Sequence, residues 1–537
     1  MSSDQNPIDN RIEEELEAFA ATERQRLGLD EADDQWVEPI YQKFTAAEKG
    51  KTTLLISGLT HAHDIFLQAA FRRQGYQVVV LDSPDNAALR LGKEFGNRGQ
   101  CNPTYFTVGN LVQYLTHMRD VKGHPVQDIL DNFIYITAGS CGPCRFGMYV
   151  TEYRKALRDS GFDGFRVMLL AQSVGMEQVV GEGGGLDITT GLAWNMLNAV
   201  MIGDILNARA YRIRPYELEE GATDSVLQHC RDRLAAAIAG GHSLGRVMKQ
   251  CRRELDSIRV DRTRVRPKVA IIGEFWAMTT EGDGNYRLQR FLEEEGAEVD
   301  VQPVTAWLLY IIWENLYDTQ QQRRVRSAEA GSGSLQKLLG MKFGDRLLRF
   351  MFQRNARLMG LRDYHMPDME ELAEISHKYY NNQNRGGEGH MEVGKLIQNV
   401  VHNKVNMTIS VKPFGCMPSS GVSDGVQSVI TELLPDAIFL PIETTGDGAV
   451  NVYSRIQMQL FKARKKAGRE VQEALQHHGI TMPEVQEWLR QHPRRASASH
   501  RSPHRAGCVS ADLVHEVGQR MGRRRRLRRP VANAVGS

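Results

Sequence analysis

Cysteine is scarce in this chain: seven in 537 residues, too few and too odd a number for a disulfide-stapled scaffold. Long apolar runs are missing as well. The most apolar short stretch, Trp307 to Trp313, falls well below the roughly 18 consecutive apolar residues that a membrane-spanning helix needs. The first residues, Met1 to Pro7, are polar and acidic and carry no apolar core of a secretory signal, so a cytoplasmic chain without membrane partners is expected. Neither sign of charge dominates, with 67 Lys+Arg against 65 Asp+Glu. Charged residues at 25% and hydrophobic residues at 41% exclude wholesale disorder. At roughly 100–200 residues per domain, the length allows two to four domains with cores of their own.

The net charge of +2 hides an asymmetry. Residues 490–537 hold twelve Arg, no Lys and two acids, a balance of +10, so the remainder carries −8. The composition predicts a C-terminal helix followed by a basic, disordered tail over 471–537. Nucleic acid is not expected as a partner, because no aromatic interleaving accompanies the arginines. Two glycine-rich stretches resemble phosphate loops without being them. Gly50-Lys51-Thr52 precedes a strand instead of following one, and Gly181 to Gly185 lacks the third glycine of a dinucleotide fingerprint at its proper offset.

One pattern occurs twice. Leu54-Leu-Ile-Ser-Gly58, an amphipathic stretch to Gly75 and Gln77-Val-Val-Val-Leu-Asp82 form the first copy. Lys268-Val-Ala-Ile-Ile-Gly273, Asn285 to Gly296 and Glu298-Val-Asp-Val301 form the second. Each reads as strand, helix closed by glycine, strand, which requires a parallel sheet. The fold expected is α/β, with two Rossmann-like doubly wound domains related by duplication. The expected organisation is a helical N-terminal arm over 1–50, a first α/β domain over 51–222, a helical connector over 223–265, and a second α/β domain over 266–470 with a helical insertion at 314–395.

The cysteines divide by context. Cys101, Cys141, Cys144 and Cys416 lie in turns with Gly or Pro neighbours, whereas Cys230, Cys251 and Cys508 fall in charged stretches and read as incidental. Cys141 and Cys416 follow predicted strands, and helices are expected to start after Cys101 and Cys144. Sites of open α/β sheets sit at the carboxyl ends of their strands, and helix N-termini there favour thiolates. Four such thiolates suit either Zn²⁺ or an iron–sulfur cluster. One close pair joined by two distant single cysteines fits a cluster bridging two domains better than a local zinc clip. Two alternatives remain: a scaffold whose iron–sulfur or zinc centre only staples two domains, and a thiol–disulfide oxidoreductase built on Cys141-Gly-Pro-Cys144, which leaves the placing of Cys101 and Cys416 unexplained. Ser140, Glu274, Asn285, His390, Ser419 and Ser420 are expected at strand ends or in loops near these cysteines, where they would support the site or meet a substrate. His61 and His63, two residues apart with no third ligand, are not expected to form a metal site.

At these residues the sequence resembles the 2-hydroxyacyl-CoA dehydratase family, most closely its activase-related iron–sulfur branch. The matching pieces are Gly96-Asn-Arg-Gly-Gln-Cys101, Gly139-Ser-Cys-Gly-Pro-Cys-Arg-Phe-Gly-Met-Tyr149, Asp204 to Glu217, Gly273-Glu274 with Asn285, Lys412-Pro-Phe-Gly-Cys-Met-Pro-Ser-Ser420 and Glu443 to Arg455. The resemblance implies a [4Fe–4S] cluster at the interface of two Rossmann-like domains, with Cys101, Cys141, Cys144 and Cys416 as ligands. It also implies a separate ATP-hydrolysing activase that delivers low-potential electrons, an acyl-CoA as the molecule acted on, and a homo- or heterodimeric assembly. Four protein thiolates would close the cluster, which suits electron relay more than binding of a substrate hydroxyl.

Overall fold

The computed structural model describes residues 44–139, 144–171, 185–325, 332–384, 387 and 389–527, together with 18, 19, 21–23 and 25–27. The chain divides into two compact units, Met1–Lys43 and Phe44–Ser537. In the first, the described residues are helical, with the Thr22 hydroxyl donating to the Ala18 carbonyl at 2.8 Å. The expected arm is therefore shorter than 1–50, because Phe44 already packs into the core of the second unit.

The second unit contains both repeats. The first supplies β1 (Thr53–Ile56), α1 (His61–Arg73), β2 (Gln77–Val80), α2 (Asn86–Phe95), α3 (Asn102–Asp120), α4 (Val126–Asn132), β3 (Phe133–Gly139), α5 (Tyr149–Asp159) and β4 (Arg166–Ala171). Helices α6 (Thr190–Ile213), α7 (Ala222–Gly240) and α8 (Leu244–Ser257) connect to the second repeat. That repeat is β5 (Lys268–Gly273), α9 (Phe275–Thr279), α10 (Leu288–Glu294), β6 (Glu298–Val301), α11 (Val304–Val325), α12 (Ser332–Leu358), α13 (Met369–His377), α14 (Gly389–Val401), β7 (Met407–Pro413), α15 (Met417–Gly421), α16 (Gln427–Leu433) and β8 (Phe439–Thr444). Both sheets have four parallel strands in one and the same order, β2-β1-β3-β4 and β6-β5-β7-β8. The fold is thus α/β with two Rossmann-like halves. Leu54, Leu55, Ile271, Ile409 and Val411 are fully buried because helices cover both faces of each sheet, which is why these strands read as continuous apolar runs. Among the described residues, no helix is long and apolar enough to cross a membrane.

The largest departure from expectation is at the carboxyl end. In place of a disordered tail, α17 (Ala449–His478), α18 (Met482–Gln491) and α19 (Val509–Leu527) pack around Val471, Val485, Trp488, Val514 and Val517. Cys508 is fully buried in this core. Residues 528–537, with Arg528 and Arg529, lie outside the described residues. The arginines misled because several have acidic partners. The Glu516 carboxylate accepts from Arg495 Nη1 and Arg520 Nε at 3.0 Å, from His500 Nε2 at 2.7 Å and from the Ser502 hydroxyl at 2.8 Å. Burial alone would raise its pKa, yet these donors hold it down to about 2. A carboxyl depressed on folding contributes stability above its unfolded pKa, and that stability is lost as pH falls through the folded value. Glu516→Gln is therefore expected to lower Tm at neutral pH and to flatten the fall in Tm between pH 4.5 and 2. Thermal melts across that range check this, and an unchanged slope would contradict it.

Before α19 the chain runs as a strap. Arg262 donates to the Ser497 and Ala498 carbonyls at 2.7 Å, and Arg209 of α6 reaches the Ser499 hydroxyl at 2.7 Å. Arg501 forks onto Glu298, the first residue of β6.

Candidate functional site

The carboxyl ends of β3 and β7 lead into the segments of Cys144 and Cys416, while Cys101 lies between α2 and α3. Cys101 caps α3, and Pro103 in the first turn presets the helical entry. Cys144 opens the short turn Arg145–Met148 before α5, and Cys416 precedes α15. The two halves meet here through backbone: the Asn102 N–H donates to the Phe414 carbonyl at 2.9 Å. A Cβ built on Gly415 would lie 3.1 Å from the Gln100 carbonyl oxygen, 3.3 Å from Cys101 Cα and 3.3 Å from an Arg145 guanidinium nitrogen. Arg145 in turn donates to the Gly99 carbonyl. The loops around Cys101 and Cys416 thus touch at one seam, which Arg145, the neighbour of Cys144, also reaches. Cys141 and Ser140 lie outside the described residues.

The polar surroundings are specific. Cys101 Sγ lies 3.1 Å from the Tyr149 hydroxyl and 3.2 Å from the Thr104 hydroxyl, and both can donate to a thiolate. Burial pushes the Tyr149 phenol well up, with Cys101 and then Glu274 adding to the effect. Burial also pushes the Cys416 thiol up, and Glu274 adds to this, while the Ser419 hydroxyl and N–H act in the opposite direction. Glu274 itself is raised by burial against two backbone N–H groups that favour its charged form.

Glu274 owes its position to Gly273. There φ is +129°, and a Cβ would fall 2.0 Å from the Val411 carbonyl oxygen, so only glycine lets β5 end pressed onto β7. The Glu274 N–H then bonds that same carbonyl at 2.9 Å, and its carboxylate caps α9 through the Ala277 N–H at 2.8 Å. The Ser419 hydroxyl lies 3.3 Å from Glu392, and the Ser420 hydroxyl donates to the Cys416 carbonyl at 2.6 Å. His390 stacks on Trp313, centroid to centroid 4.3 Å, and leans on Tyr310 at 4.9 Å. Asn285 spends its amide protons on the Ala277 and Thr280 carbonyls at 2.9 and 2.8 Å, where it holds the turn after α9.

Tyr149, Thr104 and Glu392 were not singled out from the sequence. Thr104, three residues after a helix-capping cysteine, carried a signal in its spacing, whereas Tyr149 looked like any other tyrosine. His63 stands in the first turn of α1. It is buried, with Nε2 3.2 Å from Asp204 and Nδ1 2.7 Å from the Thr60 hydroxyl.

Among the described residues, no three His, Cys, Asp or Glu side chains form a group able to hold a metal ion. At the seam the Cys101 and Cys416 sulfurs are buried and Cys144 is half-buried, and the Tyr149 and Thr104 hydroxyls lie within hydrogen-bond reach of Cys101. Comparison with models of known protein families gives no match, and neither does comparison with curated protein sequences.

Proposed function

We propose that this protein holds a [4Fe–4S] cluster on Cys101, Cys141, Cys144 and Cys416 and relays low-potential electrons, as its resemblance to the 2-hydroxyacyl-CoA dehydratase family implies. The observation that carries this reading is the Asn102–Phe414 backbone contact at 2.9 Å, which draws cysteine loops of both sheets to one seam. A bound cluster supplies one-electron chemistry at low potential. The chain's own residues tune and shield the site. Tyr149 and Thr104 donate to the Cys101 sulfur, and hydrogen bonds to ligand sulfurs are one lever on potential. Buried Glu392 and half-buried Glu274 bring carboxylates close to Cys416, which disfavours added negative charge there. The same proposal includes a separate ATP-hydrolysing activase as electron donor and an acyl-CoA as the molecule acted on.

Chain purified without oxygen is expected to carry about four iron and four sulfide per molecule. Cys101→Ser and Cys416→Ser should each remove most of both. A colourless protein with zinc and no iron would overturn the proposal. The burial of Cys101 and Cys416, at 7% and 6% exposure, favours a second reading in which the metal only staples the two halves. Reversible reduction by a low-potential donor, with a paramagnetic signal that Cys416→Ser abolishes, separates relay from staple.

A further inference from the structure

Helix α12 is apolar on two opposite faces. Leu348, Met351, Phe352 and Ala356 are buried against the first core. Facing outward, Leu335, Leu339, Phe343 and Leu347 recur every fourth residue and Phe350 continues the row, at 49, 60, 67, 37 and 66% exposure. At 1.5 Å per residue this row runs about 22 Å along the exposed side of the helix. A contiguous exposed apolar stripe of this length marks an interaction surface.

Charge indicates what it meets. Between residues 332 and 358 there are six cations (Lys337, Lys342, Arg346, Arg349, Arg354 and Arg357) and one acid, Asp345, which is paired to Arg349 at 3.0 Å. Beside the end of α12, an open cleft of about 870 Å³ is lined by Lys249, Arg252, Arg253, Arg357 and Arg362. Its single acid, Asp256, is engaged by Arg209 at 2.9 Å and Arg252 at 3.3 Å. Packing of α12 against a second copy of itself would oppose these like charges. A row of Leu and Phe bordered by Lys and Arg, with a basic cleft for phosphate groups beside it, has the composition of a surface helix that lies in a lipid interface.

We infer that α12 docks this protein onto an anionic phospholipid surface. The Leu335–Phe350 row enters the boundary between headgroups and acyl chains, and the cleft between α8 and the end of α12 takes headgroup phosphates. The inference stands apart from the proposed cluster. It is tested by sedimenting the full chain with vesicles of phosphatidylcholine containing roughly one-third phosphatidylglycerol, and with pure phosphatidylcholine as control.

Binding to the anionic vesicles is expected, weakened by added salt, with pure phosphatidylcholine binding far more weakly. The double variants Phe343→Glu/Phe350→Glu and Arg354→Glu/Arg357→Glu should each bind roughly tenfold or more weakly. All four side chains are exposed, so both variants should melt as the unaltered chain does. Failure to bind the anionic vesicles overturns the inference, and so does binding by both variants that matches the unaltered chain. A dimer that Phe343→Glu/Phe350→Glu disperses also overturns it, by assigning the row to a second copy.

Discussion

Arg501→Met is expected to destabilise the chain by about 3–5 kcal/mol, the usual cost of leaving a buried charge without its partner. Glu298 is 1% exposed and receives both Nη atoms of Arg501, which is itself 10% exposed on its side chain. Burial by itself would raise the pKa of Glu298; Arg501 is the main influence that brings it below the ordinary carboxylate range. Without Arg501, the carboxylate must remain charged in a dry site or take up a proton. The loss should therefore be largest at neutral pH and shrink as pH falls toward the raised pKa of the orphaned Glu298. Urea unfolding of Arg501→Met, Glu298→Gln and the double variant forms a cycle. The double variant should recover much of the loss, because neither member of the pair is then left as a buried charge without its partner. A single-variant loss below about 1 kcal/mol, typical of exposed pairs, would mean that the pair is solvated.

Gly109→Ala is expected to damage both stability and the cysteine seam. A Cβ at Gly109 would lie 1.8 Å from the Ala88 carbonyl oxygen, and one at Gly92 would lie 1.8 Å from the Tyr105 carbonyl oxygen. Helices α2 and α3 therefore cross with their backbones in contact, and neither can accept a methyl group without moving apart. Overpacking of this kind costs about 1–3 kcal/mol. Helix α3 begins at Cys101, so the displacement is passed to a sulfur that must stay within reach of Tyr149 and Thr104. Iron content should fall along with the unfolding midpoint. Gly340→Ala is the control: a Cβ there meets nothing within 4 Å, and alanine inside a helix is favoured over glycine by up to about 1 kcal/mol. If Gly109→Ala retained full stability and iron, α2 and α3 would have to be free to separate.

The two sheets were legible in the sequence because buried parallel strands leave short β-branched runs, and the glycines at 75 and 296 close the helices between them. The turn positions of Cys144 and Cys416 followed from their place after apolar strand runs, whereas the Asn102–Phe414 contact between the halves joins two separate sheets and left no trace in strand order. The carboxyl-terminal layer was hidden for a physical reason. An arginine reads as a solvent charge until its partner is known, and Glu298 lies 203 residues from Arg501. Cys230 and Cys251, read as incidental, are both fully buried where α7 and α8 pair, each sulfur facing the other's carbonyl at 3.9 and 4.0 Å. Helical spacing within one segment gave no hint of that pairing.

The strap also sets an order of events during synthesis. Arg209 and Glu298 emerge from the ribosome 290 and 203 residues before Ser499 and Arg501, and domains form roughly as they emerge. For that interval a cation on α6 and an anion at the edge of the second sheet have no strap to bind. Arg209 meanwhile has Asp256 of α8 within reach, whereas Glu298 is still without Arg501. The native state is reached by a late latch, in which a segment made near the end of translation closes over charges that the earlier domains left waiting.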